Sequence, residues 1–301
     1  MNHKSRRVAI SIQSGPTSFD QIHALARGLA IGLTLFFLTG CPNPQPVYQD
    51  TIIPSTAEQT AIWNAFEQSA MQEPHPAVLD GSLRFGPEQD TRRVTYLLWS
   101  NGDLPLRLDI MAGMGTTAGQ AQVVGQTLLI YLPTEQRAYL GTDAPDKGLA
   151  AIGLPLPLNL ANLNAFLLGR YAEGLGNPYL LGALGVGSSG PIFAVKGHGE
   201  QSNLELSPEG KPLSWSFPPS SGNGWQIKFS YGEDGLPRRI DGALPASPLA
   251  QREEDYSFVL LVKTRQAKQT FSQADLHLSI PSGTPVYALD GNTDNLAWQI
   301  K

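Results

Sequence analysis

Gly185-Val186-Gly187-Ser188-Ser189-Gly190 has the spelling of a phosphate-binding G-x-G-x-x-G loop. That chemistry needs a strand before the motif and a helix after it, whose N-terminus meets the phosphates. Here Leu- and Gly-rich sequence precedes the motif, and Pro191 with a strand pattern follows it, so a loop is expected and a nucleotide site is not. His75, His198 and His277 stand singly, without H-x-x-H or Cys/His spacing, and no zinc site is expected. No G-x-S-x-G elbow occurs, and Ser188 and Ser189 precede a proline. Glu253-Glu254-Asp255 reads as a solvated turn before a strand. A carboxylate pair assembled in space is not legible in a sequence and stays open. No catalytic residue, cofactor or metal is called, and the chain is read as a non-enzyme.

The one residue with clear covalent chemistry is Cys41, the only cysteine in 301 residues. Lys4, Arg6, Arg7 and Arg27 precede the uncharged run GLAIGLTLFFL (28–38), which ends in Leu38-Thr39-Gly40-Cys41. A basic n-region, a short apolar core and small residues at the cut describe a secretory signal. A spanning helix needs ~20 apolar residues. The tetrapeptide resembles the bacterial lipobox, in which the cysteine becomes the lipidated first residue. Residues 1–40 are therefore read as a lipoprotein signal peptide, and 41–54 as lipidated Cys plus Pro-rich tether. The whole chain carries 21 Lys+Arg against 26 Asp+Glu, and removing residues 1–40 leaves 17 against 25. This balance argues against nucleic-acid binding. With one cysteine, no internal disulfide can form, so stability must come from core and sheet.

The remaining 55–301 is read as one β domain. Ser55-Thr56-Ala57-Glu58 has capping-box spacing and opens a helix over about 56–72, with Ile62, Phe66 and Ala70 on one stripe and Trp63 beside it. From residue 79 the period changes to two. In LPLRLDI (104–110), Leu104, Leu106, Leu108 and Ile110 share one face while Arg107 and Asp109 share the other. About eleven to thirteen short strands follow, including 225–231 and the segment around 275–281. They are interrupted by a Leu/Ala-rich insertion over about 145–184 that is read as a helical lid, entered through Pro157-Asn159 with Leu160, Leu163, Phe166 and Leu167 buried. Each strand has one strongly apolar face and little helix to cover it. A curved sheet folded around the inserted helix is the economical solution, and a barrel this large can hold a ligand cavity. Trp99, Trp215 and Trp225 lie in strands and Phe166 on the insertion. They fit either an ordinary core or a greasy cavity.

Gly153-Leu-Pro-Leu-Pro-Leu-Asn159 followed by Leu163-Asn-Ala-Phe-Leu-Leu-Gly169 resembles a block of the outer-membrane lipoprotein receptor family LolB. TYLLWSNGDLPLRLDI (95–110), GNGWQIKFSYGEDGLPRRID (222–241) and DLHLSIPSGTPVYALD (275–290) resemble LolB and, more loosely, LolA carrier segments. The chain departs from LolB in extra sequence around 172–190 and 243–254. The resemblance implies an open, strongly curved antiparallel half-barrel of about 11 strands, with helices over a hydrophobic cavity that receives lipoprotein acyl chains. Trp99, Leu106, Leu108, Ile110, Phe166 and Trp225 are the expected cavity residues. MAGMGTTAG (111–119) falls where that family has a projecting apolar loop, which makes Met114 the expected membrane-contacting residue.

The expected role is a lipid-anchored protein that faces the periplasm from the outer membrane and helps insert lipoproteins there. Pro42, in place of the aspartate linked to inner-membrane retention in enteric bacteria, favours that membrane, although inner-membrane anchoring stays open. Expected partners are lipoprotein acyl chains and a LolA-like periplasmic carrier, with the chain itself a monomer. The alternative is a structural or sensory envelope lipoprotein that binds a protein partner and transfers no lipid.

Overall fold

Period-two segments joined by short turns pair with their chain neighbours, and here they do so almost throughout. A computed structural model describes residues 52–113, 115–142, 158–197, 200–217, 224–246, 254–268 and 270–289. Cys41, Met114, His198 and residues 153–157 of the proline block lie outside them.

Helix α1 (Ala57–Gln68) and a 3-10 turn (Ser69–Met71) come first. Six strands follow: β1 (Ala77–Pro87), β2 (Arg92–Ser100), β3 (Leu106–Ala112), β4 (Thr116–Val124), β5 (Thr127–Leu132) and β6 (Arg137–Thr142). Then come α2 (Leu160–Leu167) and α3 (Tyr171–Gly174). Seven more strands run as β7 (Tyr179–Val186), β8 (Pro191–Gly197), β9 (Glu200–Leu206), β10 (Pro212–Ser216), β11 (Gln226–Tyr231), β12 (Pro237–Leu244) and β13 (Tyr256–Ala267). Helix α4 (Gln273–Leu276) and β14 (Val286–Ala288) close the chain. All fourteen strands form one sheet in the order β14-β6-β5-β4-β3-β2-β1-β13-β12-β11-β10-β9-β8-β7. β14 joins β6 in parallel, while the other pairings are antiparallel.

The sheet is open but cannot be flat. At ~4.8 Å per neighbour, fourteen flat strands would span roughly 60 Å. Yet side chains from β5 to β8 share a single apolar cluster with α1, α2 and α3. Trp63 of α1 meets Phe193 of β8 at 5.6 Å, and Phe166 of α2 meets Phe229 of β11 at 4.5 Å. On the same short helix, Asn164 reaches Ser100 at the end of β2. One helix touching both β2 and β11 requires the sheet to curl around it. Two inward glycines permit that bend. A Cβ on Gly81 would lie 2.1 Å from the Leu261 carbonyl oxygen and 2.4 Å from the Tyr96 ring, and one on Gly242 would lie 2.0 Å from the Phe258 ring. An aromatic side chain from the next strand thus lies across each glycine, the pairing by which curved sheets fill a glycine kink.

Helices plug one end of the half-barrel. The β2–β3, β9–β10 and β11–β12 turns all fall there, and each meets helix. Asn164, 2% exposed, accepts from Ser100 Oγ at 2.9 Å and donates to the Gly102 carbonyl at 3.2 Å. The buried Arg170 donates to that same carbonyl and pairs with Glu173 at 2.9 Å. Gly210 lies against the backbone of Phe66, and the Tyr171 hydroxyl donates to Gly235. Asn164→Ala removes a buried donor and acceptor together and should cost about 1–3 kcal/mol. A lower urea midpoint at unchanged slope would show it.

Three expectations are corrected. The capping box is Thr56 with Gln59, one residue later than Ser55 with Glu58; the Thr56 side chain bonds the Gln59 backbone, and the amide of Gln59 bonds back. Residues 179–184, read as part of the helical lid, belong to β7 instead, because Gly182 weakens a helix while the open edge of β8 offers a ladder. The segment around 275–281 is not a strand in the sheet. Ser272 caps α4, and the chain then crosses the outside of the sheet.

Candidate apolar cavity

The inward side chains follow from register. Leu83, Val94 and Ala112 stand side by side across β1, β2 and β3, and Gly81, Tyr96, Ile110 and Gly119 form the next row. Leu79, Leu98, Leu108 and Ala121 follow. Across the sheet, Phe258 opposes Phe85, Ile240 opposes Leu260, and Phe229 opposes Ile240. The result is one continuous apolar inner wall.

At the helix-plugged end this wall is filled. Leu106 and Phe166 are fully buried, with Phe166 held between Tyr171 and Phe229. Trp225 lies at the other end, where the chain enters β11; 5% exposed, it stacks edge-on against Phe258 at 5.3 Å and against Tyr256 at 6.3 Å. Trp215 donates its indole N–H to Ser202 Oγ at 2.9 Å. These groups are packing, with no free surface for a ligand. At the Trp225 end the wall is less occupied on the side of β1 to β5, where the β1–β2, β3–β4 and β5–β6 turns lie. There Phe85, Val94, Ile110, Ala112, Gly119 and Leu132 line a pocket of about 270 Å³, with Arg92 and Arg93 beside them. Of the six expected cavity residues, Ile110 is the one in this pocket. Leu108 is buried one row deeper.

Trp99 is on the other side of the sheet. Tyr96, Leu98 and Ser100 point inward, so Trp99 alternates outward, opposite Arg107. The Arg107 guanidinium lies 5.4 Å from the indole centroid, grips Asp109 at 2.9 and 3.0 Å, and donates to the His277 carbonyl. The tryptophan that ends β2 therefore belongs to a convex-face clamp on the C-terminal segment. Trp99→Leu should leave acyl-chain affinity unchanged in a fluorescence titration, since the sheet separates it from the inner wall.

A larger pocket, about 470 Å³, lies beneath that segment among Gln122, Leu129, Leu140, Leu278 and Ile280. The Gln122 amide fixes the crossing chain from both sides, donating to the Leu276 carbonyl and accepting from the Leu278 amide. It is a gap left under a strap, discontinuous with the inner wall, and ranks below the inner pocket as a ligand site for that reason.

Acid–base chemistry finds little here. Burial pushes Tyr171 up to about 12 and raises Tyr96 and Tyr231 further, so these phenols stay neutral. Among the described residues, no three His, Cys, Asp or Glu side chains gather as a metal site. His75 and His277 are exposed. Gly185 and Val186 end β7, and residues 187–190 make the β7–β8 hairpin turn, closed by Gly187 N–H to the Gly190 carbonyl at 2.7 Å; a strand and not a helix follows, so a phosphate finds no helix terminus.

No protein-family profile matches the chain, and no curated protein matches it. Solved structures do. A LolA superfamily protein from Nitrosomonas europaea superposes with a TM-score of 0.50 at 12% identity, covering 73% of this chain and 97% of that one. This chain has a LolA-like fold. A DUF1329 family protein from Desulfovibrio piger gives the same TM-score and identity over 74% and 98% of the two chains. A putative outer membrane lipoprotein-sorting protein domain from Vibrio parahaemolyticus gives 0.48 at 12% identity. The LolA-like fold matches the expected open half-barrel of mainly β structure, with fourteen strands among the described residues where about eleven were expected. The additional strands include the edge strands β7 and β14.

Proposed function

We propose that this protein is a lipid-anchored acyl-chain-binding protein of the LolB type, which accepts lipoproteins in the periplasm and helps insert them into the outer membrane. The observation that carries the reading is the continuous apolar inner wall of a LolA-like half-barrel, filled by helices at one end and pocketed at the other. Burying an acyl chain is worth about 0.8 kcal/mol per methylene. Passing it from one apolar cavity to another is nearly neutral, so a modest affinity difference sets direction and no nucleotide is needed. The anchor is Cys41, the donor a LolA-like carrier, and the role non-enzymatic.

Met114 supports the delivery step. Ala112 and Gly119, on β3 and β4, line the pocket, and Met114 follows Ala112 by two residues in the sequence. Its unbranched thioether enters a lipid interface readily. Met114→Glu should retain fatty-acid binding and lose delivery of lipoprotein to vesicles; unimpaired delivery would remove the residue from the mechanism. The binding reading itself is tested by titrating a fluorescent fatty acid into the full chain. Saturable binding is expected, and its absence overturns the reading.

One observation favours the alternative, an envelope lipoprotein that binds a protein partner and no lipid. Edge strand β7 exposes Tyr179, Leu181 and Val186, and on its free side it is bridged only at Ile53–Ala183 among the described residues. Such an edge can accept an added strand. Depletion in cells separates the two readings. Other lipoproteins accumulating in the inner membrane support transfer, and an unaltered distribution supports the partner role.

A further inference from the structure

We propose that the inner pocket takes an acyl chain bearing an anionic headgroup, with the chain beside Phe85, Val94 and Leu132 and the headgroup on Arg92 and Arg93. The inference rests on the acyl-chain reading above and names the class of amphiphile.

The charge distribution points this way. The chain as a whole is acidic, at net −5, yet the β1–β2 hairpin at the pocket carries Arg84, Arg92 and Arg93 within ten residues. Arg84 and Arg93 stand directly opposite each other on the outer face of the strand pair, while Arg92 is in phase with the inward residues; Arg92 and Arg93 both line the pocket at the hairpin's edge. Neutralisation from within the protein is slight. Arg84 spends its guanidinium on the Thr91 hydroxyl. Arg92 meets Asp90 at 3.5 Å with both side chains about 70% exposed, a solvent-screened pair of small worth. Arg93 has no ion pair among the described residues.

Position and size agree with the charge. Arg92 is in register with Phe85, on the pocket's side of the hairpin. The guanidinium forks of Arg92 and Arg93 match carboxylate and phosphate geometry. At about 270 Å³, the pocket is just below the ~300–1,000 Å³ of clefts that engulf a ligand. It suits part of a chain, with the headgroup left at the arginine rim.

The test compares dodecanoate, dodecyl phosphate and dodecanol by tryptophan fluorescence titration of the full chain, with the Arg92→Gln/Arg93→Gln double variant alongside. The two anions should bind about tenfold more tightly than the alcohol, as expected for one charge-assisted contact. In the double variant that ratio should fall to about one, with an unchanged thermal midpoint because both side chains are exposed. The ratio between the two anions tells a carboxylate site from a phosphate site. Equal affinity for all three ligands overturns the anionic headgroup and leaves the acyl-chain reading standing. No binding of any overturns both. A double variant that keeps the anion preference but loses binding to vesicles of anionic phospholipid also overturns the proposal, by assigning the arginines to a membrane surface.

Discussion

Ala112→Trp should reduce the affinity for a twelve-carbon acyl chain by at least about tenfold while leaving the thermal midpoint unchanged or raised. Ala112 is half-buried, stands in register with Val94, and lines the inner pocket. An indole there occupies the space the chain would take. Each methylene kept in water forfeits about 0.8 kcal/mol, so excluding two already exceeds a factor of ten. The same indole covers Ile110 and Leu132 with protein, which compensates the fold for the added bulk. Isothermal titration with dodecanoate and a melting curve of the same sample read both quantities. Unreduced affinity in a protein that melts normally would move the ligand site elsewhere, the space under the C-terminal strap being the next place to look. Affinity and stability falling together would mean that this corner of the wall is ordinary core.

Gly81→Val should have the largest effect on folding, a loss of about 3 kcal/mol or more, as overpacking of a tight core gives. The side chain has no room. Its Cβ would sit 2.1 Å from the Leu261 carbonyl oxygen, which is backbone and cannot swing away, and 2.4 Å from the Tyr96 ring and hydroxyl. Tyr96 donates to that carbonyl at 3.2 Å, so displacing the ring also orphans a buried hydroxyl. The bulge between Asp80 and Gly81, where β1 shifts register on β13, lies at the same point. At about 2–4 °C per kcal/mol for a domain of this size, the melting midpoint should fall by roughly 6–12 °C. Gly224→Ala is the matched control, because a Cβ there meets nothing within 4 Å; it should stay within about 0.5 kcal/mol. A Gly81 variant as stable as that control would mean that the sheet does not bend where the Tyr96 ring lies across it.

Local pattern carried much of this molecule. Strict alternation in LPLRLDI is enough to put Leu106, Leu108 and Ile110 on the inner face and Arg107 and Asp109 on the outer one, because a strand has only two faces. Capping chemistry and a 3.6-residue stripe were enough for α1 and α2, where Ile62, Trp63, Phe66, Leu160, Leu163, Phe166 and Leu167 are buried as expected. The fold class was legible for a related reason: many one-sided strands with few helices must curl to cover their apolar faces.

What the sequence by itself determined, then, was which residues form strands, which face of most of them is greasy, and the open half-barrel that follows. Tertiary structure decided everything that depends on what lies opposite. Residues 179–186 are strand because β8 has an edge to pair with, a partner that no local propensity records. Trp99 faces outward because β2 starts its alternation at Val94, Tyr96 and Leu98, and a one-residue difference in phase moves a side chain to the other face. Phe166 and Trp225 are packing while Ile110 lines a pocket, although all three are apolar residues in inward positions. Phe166 is covered because α1, α2 and α3 come to rest at its end of the barrel, and Trp225 because Tyr256 and Phe258 of β13 lie against it at the other end.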